Sequence, residues 1–402
     1  MLKDILKLFS GVSFSKLLQF VYFFTAAGFC SKEEFGNYVF LLTLNLICVY
    51  PVLEWGSELL ISKYTAEKEF TFFSNALWWK ILVFPLLYLA IISYSSLQWD
   101  FPYLLSTYAC LLILIRSLEQ SSYAFFRGSG KVEYEALHLT LSRSLSLVLL
   151  LAVLSFSAIN AYSIFLFQII GSSCSLAWVH LRFGSRSSLR ALDVSGIRKL
   201  IREGFPLALT ALSWLVYFKI DILMIGNLLD RAMSGYYEVA YKILELTFLV
   251  PGVIMSVYFR ELVLKQGSAE AARSFWKGAL FLLALSLFVL VLTQFAVPYL
   301  VPMFLRPDQQ VVLPVYAVLS WSIPLVYLGH LTTQTLVILG KQKTYLFIMM
   351  LGAFFNVLLN AYLIPEWSLK GAALATVATE VFILLATGAF CVRHLHRSST
   401  VR

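Results

Sequence analysis

The stretch Gly204–Tyr258 reads GFPLALTALSWLVYFKIDILMIGNLLDRAMSGYYEVAYKILELTFLVPGVIMSVY. Two apolar segments flank a short turn at residues 230–234, and each is long enough for a bilayer crossing, which takes about 20 residues. Five charged side chains lie inside these segments: Lys219, Asp221, Glu238, Lys242 and Glu245. A charge at the centre of a spanning helix costs about 2.5–3.5 kcal/mol, so such residues face a bundle interior or a wet cavity. The stretch predicts an all-α integral membrane protein with a polar interior.

The composition extends this prediction to the whole chain. Of its 402 residues, 60% are apolar and 13% are charged, against about 45–50% and about 25% in soluble domains. The net charge of +9 follows the membrane topology described below, which argues against nucleic acid as a partner. The apolar run after Met1–Ser10 is too long for a cleavable signal, so it is predicted to remain as the first crossing. The five cysteines have no metal or redox spacing, and no cofactor is expected.

Windows of about 20 apolar residues mark candidate membrane crossings. The sequence predicts twelve of them, joined by short loops, at Ile5–Phe29, Gly36–Ser62, Ala76–Leu97, Phe101–Phe126, Tyr134–Phe156, Ala161–Phe183, Leu200–Asn227, Gly235–Tyr258, Phe275–Leu300, Val312–Leu339, Tyr345–Ile364 and Lys370–Val392. With the N-terminus in the cytoplasm, the opposite loops carry only four basic residues, Lys32, Arg231, Arg306 and Lys370. Basic residues concentrate on the cytoplasmic side of membrane proteins, so both termini are predicted to be cytoplasmic.

The two halves of the chain repeat each other. Gly36 and Gly235 open the second and eighth windows, and Pro51 and Pro251 follow them at similar distances. Six crossings per half place both copies in one orientation, an arrangement of transporters that bind substrate between the halves. The predicted organisation is an N-terminal lobe at 1–183, a cytoplasmic linker at 184–199, a C-terminal lobe at 200–392 and a cytoplasmic tail at 393–402.

Six short segments carry a resemblance through their order and spacing: Ser31–Tyr38, Phe126–Lys131, Gly204–Leu207, Lys219–Gly226, Gly340–Lys343 and Lys370–Thr376. With them the chain resembles the multidrug/oligosaccharidyl-lipid/polysaccharide (MOP) exporter superfamily. Within it, the chain is most similar to the Wzx-type flippases of polysaccharide biosynthesis, such as those for the O-antigen of lipopolysaccharide. The resemblance implies a V-shaped pair of six-helix lobes with twelve transmembrane helices, alternating access and a cation-lined central cavity.

The same resemblance implies a substrate, a coupling ion and partner proteins. The expected substrate is an undecaprenyl-pyrophosphate-linked oligosaccharide, moved across the bacterial inner membrane without enzymatic activity. H+ or Na+ is the expected coupling ion. Membrane lipids, together with a polysaccharide polymerase and the glycosyltransferases of the same pathway, are the further expected partners. The superfamily offers no invariant catalytic motif to transfer, so the site residues are predicted from physical arguments.

Five basic residues lie inside predicted crossings: Lys16, Arg116, Arg143, Lys219 and Lys242. A pyrophosphate needs cations inside a membrane, and Arg or Lys side chains supply them. We therefore predict that these five residues line the cavity and bind substrate. Two alternatives remain open: Arg116 shares a helix face with Glu119 and could form a structural ion pair with it, and long basic stems could instead reach the lipid headgroups.

Four acids inside the crossings are predicted to couple transport to an ion: Asp221, Glu238, Glu245 and Glu380. Glu238 and Glu245 lie on one face with Lys242, which suits either contacts between helices or a polar stripe that cycles a proton. Glu380 stands alone among small residues, and a buried carboxyl group can exchange a proton near neutral pH.

Three other polar residues receive a more ordinary interpretation. Glu54 and Glu58 lie near the cytoplasmic end of the second window, beside Lys63, and are interpreted as interfacial. His330 is interpreted as a satisfied core histidine, with a proton relay or a sugar contact as the alternative.

Two other functions are weighed against a flippase. A multidrug or cation antiporter of the same superfamily is disfavoured by the basic residues inside the helices. A membrane-embedded polysaccharide polymerase would need a large extramembrane loop or a carboxylate motif, and the sequence has neither. The sequence also lacks nucleotide-binding motifs, so an ion gradient or the membrane potential is the expected energy source.

Overall fold

The computed structural model describes residues 2–183, 192–264, 270–305 and 308–400. Residues 184–191 of the predicted linker and Arg306 lie outside these ranges. The described chain is helical, and its fifteen helices are α1 (Leu2–Phe29), α2 (Lys32–Cys48), α3 (Tyr50–Glu54), α4 (Ser57–Ala66), α5 (Thr71–Trp99), α6 (Tyr103–Gly128), α7 (Val132–Leu154), α8 (Ala161–Phe183), α9 (Val194–Leu228), α10 (Arg231–Thr247), α11 (Leu249–Leu264), α12 (Glu270–Phe304), α13 (Gln309–Leu319), α14 (Ser322–Ile338) and α15 (Gln342–Thr400). Among the described residues, the sole β-type pairing is an isolated bridge between Cys30 and Ile159.

The helices support a multi-pass membrane protein. Among the described residues, eight helical segments are long and apolar enough to cross a membrane, or nine if α13 and α14 form one span bent by 41°. Helices suit this environment because they satisfy every backbone hydrogen bond internally. The predicted windows coincide with helical chain, but twelve crossings and cytoplasmic termini stay predictions.

The predicted second and eighth windows are each divided in the structure. Pro51 lies in the first turn of the short helix α3, and the chain then passes through left-handed backbone at Trp55 (φ 43°) and Gly56 (φ 72°) before α4. In the other half, α10 ends before Phe248, three residues ahead of Pro251. Proline has no N–H and its ring clashes with the carbonyl four residues earlier, which explains a break near each proline.

Helix α15 contains two predicted windows and folds back on itself. Ser368 has φ 52° and ψ −138°, a non-helical conformation that divides the helix beyond Pro365. A side chain on Gly371 would collide with the carbonyl oxygen of Leu363, eight residues earlier, so only glycine allows this approach. Farther from the turn, Asn356 Nδ2 donates to Thr379 Oγ1 at 3.4 Å. The two halves of α15 are therefore an antiparallel pair.

The chain divides into two compact units, Met1–Leu215 and Val216–Arg402. The boundary falls inside α9, so the first half of this helix belongs to the first unit. The lobe boundaries at 183 and 200 stay predictions.

The start of α9 packs against the break between α3 and α4. Trp55 Nε1 donates to the carbonyl oxygen of Ile201 at 3.0 Å, and Tyr64 Oη donates to Glu203 Oε2 at 2.7 Å. Gly204 lies directly against the carbonyl group of Trp55, where a side chain would collide. These contacts explain why the early turns of α9 join the first unit.

Candidate functional site

Two half-buried arginines lie inside the first unit, on α6 and α7. Arg116 Nη2 donates to Gln168 Oε1 at 2.6 Å, and Gln168 Nε2 donates to Tyr38 Oη at 2.8 Å. The Nε atom of Arg116 is buried without a hydrogen-bond partner among the described residues. Arg143 lies close enough to act on the charge of Arg116. The structure therefore brings two of the predicted substrate-binding residues into one cluster.

Neither guanidinium forms an ion pair with a carboxylate of the described residues. The predicted alternative for Arg116, a pair with Glu119, is not formed; its partner is the neutral amide of Gln168. Charged side chains inside a membrane protein normally pair or line a functional pathway. Two guanidinium groups with no carboxylate bonded to them suit an external anion, because guanidinium groups bind phosphate oxygens in a bidentate manner; the carboxylate of Glu119 lies near both without being bonded to them.

Lys16 is more exposed than the two arginines of this cluster. Its side chain on α1 is exposed, and it has an interaction partner of its own. An exposed basic stem can reach the headgroup region. The role of Lys16 in binding substrate stays a prediction.

The second unit contains a closed cluster of four charges on α9 and α10. Lys219 Nζ lies 3.0 Å from Glu238 Oε1 and 2.9 Å from Glu245 Oε1. Lys242 Nζ lies 2.7 Å from Glu245 Oε2 and 3.4 Å from Glu238 Oε1. Two lysines and two glutamates cancel in charge. The spacing on α10 predicts that Glu238, Lys242 and Glu245 share one face. The fold brings Lys219 of α9 against that face.

Pairing within this four-charge cluster limits both substrate binding by its lysines and ion coupling by its glutamates. The predicted binding role of Lys219 and Lys242 requires that an anion displace Glu238 and Glu245, because both carboxylates already accept hydrogen bonds from the ammonium groups. The same pairing means that the two glutamates are compensated within the unit. Compensated carboxylates are poorer proton or cation ligands than free ones.

The other two predicted coupling acids are buried, and neither forms an ion pair among the described residues. Asp221 is 2% exposed, and its Oδ1 accepts a hydrogen bond from the backbone N–H of Ile222 at 2.9 Å. Glu380 on α15 is 7% exposed and accepts a hydrogen bond from the hydroxyl of Tyr217 on α9. Buried carboxyl groups of this kind suit ion coupling better than the paired glutamates do.

A band of amides lies near these acids in the fold of α15. Asn360 Nδ2 donates to Asn356 Oδ1 at 2.9 Å, whereas Asn360 Oδ1 is buried without a hydrogen-bond partner among the described residues. Tyr237 of α10 shares a hydrogen bond of 3.0 Å with Thr376 of α15. Helix α14 adds polar groups to the same unit: Thr332 shares a hydrogen bond of 2.8 Å with Thr387 of α15, and His330 is half-buried.

A buried ion pair between α3 and α5 was not predicted from the sequence. Lys80 is fully buried, and its Nζ lies 2.8 Å from Glu54 Oε1. Ser117 Oγ and Ser57 Oγ donate to the same carboxylate at 2.6 and 2.9 Å, and Lys80 also donates to Ser121 Oγ at 2.6 Å. The interfacial interpretation of Glu54 is wrong, because the break at Trp55 turns this carboxylate into the bundle. A lysine within the apolar run of α5 was the available signal.

Glu58 belongs to a separate pair at the end of α6. Arg127 Nη1 lies 2.6 Å from Glu58 Oε1, and Arg127 also forms a two-bond pair with Glu135 at 2.7 Å. The side chains of Arg127 and Glu58 are both partly exposed. The interfacial interpretation of Glu58 agrees with this exposure, and the pair ties α4 to α6 and α7.

Comparison with known proteins identifies one protein family. The family described as "Polysaccharide biosynthesis protein" matches residues 1–259 of the chain. No curated protein matches the chain.

Solved structures of transporters share the fold. The lipid II flippase MurJ in an inward closed conformation superimposes with a TM-score of 0.79 at 14% identity, covering 96% of this chain and 87% of that one. An inward-facing multidrug resistance MATE family transporter of the MOP superfamily gives a TM-score of 0.75 at 13% identity, with 96% of each chain covered. A MOP superfamily transporter from Pyrococcus furiosus, described as having a binding pocket of reversed polarity, gives 0.66 at 12% identity and covers 99% and 96%. At these identities the likeness establishes the fold.

Proposed function

The chain belongs to the polysaccharide biosynthesis protein family, and from this premise we propose that it is a flippase for lipid-linked oligosaccharides. The substrate is an undecaprenyl-pyrophosphate-linked repeat unit, carried across the bacterial inner membrane by alternating access. In this proposal the chain crosses the membrane twelve times with both termini in the cytoplasm. The fold shared with the lipid II flippase MurJ supports the class of substrate.

The observation that carries this proposal is the arginine pair of the first unit. Arg116 and Arg143 have no carboxylate partner among the described residues, and Arg116 keeps a buried donor unused. A pyrophosphate supplies the missing acceptors, and each charge-assisted hydrogen bond is about twice as strong as a neutral one. The polyprenyl tail needs no polar protein contact, because it remains in the hydrocarbon of the bilayer.

The second unit supplies the ion coupling in this proposal. Asp221 and Glu380 are the better candidates for H+ or Na+, because Glu238 and Glu245 are already neutralised by lysines. The energy comes from an ion gradient or from the membrane potential, which is worth about 2.3 kcal/mol per elementary charge at 100 mV. No covalent step is needed, and the polymerase and glycosyltransferases of the pathway act before and after transport.

Replacement of the arginines tests the anion site. In a bacterium that lacks its own flippase and carries this chain, R116A and R143A are expected to abolish surface polysaccharide while the protein accumulates in the membrane. R202A is the matched control, since the side chain of Arg202 is 82% exposed; it is expected to leave the polysaccharide unchanged. Polysaccharide at wild-type level in both cavity variants would remove the arginine-based mechanism.

A multidrug antiporter is the second candidate, because the MATE transporter fold is also shared. The same strain distinguishes the two functions. A drug antiporter would confer resistance to cationic compounds without restoring surface polysaccharide, whereas the proposed flippase would do the reverse.

A further inference from the structure

Two buried polar atoms in the first unit face each other without hydrogen-bond partners. Oε1 of Glu119 on α6 lies 3.8 Å from Nε2 of His138 on α7. Glu119 is 3% exposed and His138 is 0% exposed, and neither of these two atoms has a partner among the described residues. A buried polar atom without a partner destabilises a fold, so such atoms in a native structure have a physical reason.

The other side of the histidine ring is fixed. Tyr123 Oη and His138 Nδ1 share a hydrogen bond of 2.6 Å, and the two rings are arranged edge to face. If the tyrosine hydroxyl donates, the single proton of neutral His138 is on Nε2 and points at Glu119. The gap of 3.8 Å is longer than a hydrogen bond of 2.7–3.2 Å. The N–H of His138 Nε2 can therefore donate to Glu119 Oε1 after a small approach of the two side chains.

Charged and titratable groups on four helices lie around the pair. Arg143 of α7 and Arg116 of α6 act on the charge of Glu119, and Arg143 and His180 of α8 act on His138. Helix α1, which packs along α7 with Gly11 against Ala136, contributes Lys16 as an exposed residue. Burial disfavours the charge of Glu119, and the two arginines offset part of that cost through space, although neither is bonded to the carboxylate.

We propose that Glu119 and His138 form a proton-binding site that fills when an anion occupies Arg116 and Arg143. The inference rests on the proposed function, because it assigns the arginines to the pyrophosphate. An anion bound there cancels part of the positive potential that stabilises the Glu119 carboxylate, and the carboxylate then takes a proton from the buffered solvent. One O–H bond forms on Glu119 Oε2, Oε1 remains the acceptor that faces the N–H of His138, and no bond of the substrate changes.

The linkage is reciprocal, so its sign can be stated. Anion binding takes up a proton, and a bound proton therefore tightens anion binding by the same factor. Pyrophosphate should bind more tightly as the pH falls, to an extent beyond the titration of pyrophosphate itself. The first unit would then link proton uptake to binding of the anionic substrate, whereas the dependence of transport on the gradient rests on Asp221 and Glu380 in the second unit.

Calorimetry with inorganic pyrophosphate tests this inference on the full-length protein in detergent. Titrations in two buffers of different ionisation enthalpy give the number of protons taken up per bound pyrophosphate. E119Q is expected to bind pyrophosphate at least as tightly as the wild type but to take up about one proton fewer. E133Q is the matched control, because Glu133 is exposed in the first turn of α7; it should take up the same number as the wild type.

Each outcome decides between the two proposals. If wild type and E119Q bind pyrophosphate with equal proton uptake, the proton site is overturned while the arginine site stands. If the wild type does not bind pyrophosphate, both are overturned. Should E119Q fail to fold, H138Q replaces it: reduced uptake supports the pair, and uptake equal to that of the wild type overturns it.

Discussion

At the scale of single residues, Lys80 shows how the bundle tolerates a buried charge. The Glu54 carboxylate, a backbone carbonyl of Ser117 and the hydroxyl of Ser121 accept from its three N–H groups at 2.6–2.8 Å. An ammonium group has three donors, so all of them are satisfied. The cluster therefore holds α3, α5 and α6 together, and it leaves no free charge for a ligand.

Removal of Lys80 is therefore expected to destabilise the protein. K80M leaves the buried Glu54 carboxylate without its cation, which costs about 3–5 kcal/mol for a buried pair. The double variant K80M/E54Q should recover much of this loss, because no uncompensated charge remains. Melting temperatures of the detergent-solubilised protein measure both, and a K80M protein as stable as the wild type would contradict the buried pair.

Glu380 is the residue on which coupling can be tested directly. E380Q keeps the size of the side chain and a hydrogen-bond acceptor for Tyr217, but it cannot exchange a proton. Transport by reconstituted vesicles is expected to lose its dependence on the proton gradient. E366Q serves as the control, since Glu366 is exposed on α15. Gradient dependence that persists in E380Q would clear Glu380 of the coupling role.

At the scale of elements, the divided helices are the main departure from the predicted windows. The window Gly36–Ser62 is continuous in hydropathy, but the structure breaks it into α2, α3 and α4. Hydropathy measures the cost of leaving water and does not register backbone conformation. Pro51 is the local signal for the first break, while Trp55 and Gly56 adopt left-handed backbone against α9. This break turns Glu54 toward Lys80.

The contact between α9 and this break gives a prediction for Gly204. G204A places a methyl group against the carbonyl of Trp55, and overpacking of this kind costs about 1–3 kcal/mol. G252A is the matched control, because Gly252 is also helical and has no atom within 4 Å of an added Cβ; it should be neutral or gain up to about 1 kcal/mol. Thermal unfolding of both variants measures the difference. Equal stability of the two variants would show that α9 does not pack closely on Trp55.

At the scale of the whole molecule, the membrane topology is the prediction that can be tested most simply. Fusions of a reporter that is active only outside the cytoplasm should be active after Lys32 and Arg231 and inactive after Lys131 and Arg393. The physical reason is the concentration of basic residues at the predicted cytoplasmic ends. Activity after Lys131 would exclude the twelve-crossing arrangement.

The sequence by itself determined the class of the protein and the positions of its helices. The length of an apolar run and the placement of basic residues are local properties, and a bilayer acts on each segment separately. For this reason the windows Tyr345–Ile364 and Lys370–Val392 match the two halves of α15 on either side of Ser368. The grouping of Glu238, Lys242 and Glu245 on one face of α10 likewise follows from helical spacing alone.

Only the tertiary structure decided which buried charges are free. Hydrocarbon rejects Arg116 and Lys219 alike, so the sequence treats them as equivalent, and it does not single out Lys80. In the fold Lys219 is paired with two glutamates and Lys80 with Glu54, whereas Arg116 receives only the amide of Gln168. The partner of a buried charge depends on which helices are neighbours and how they are rotated, and neither property is encoded in a single helix.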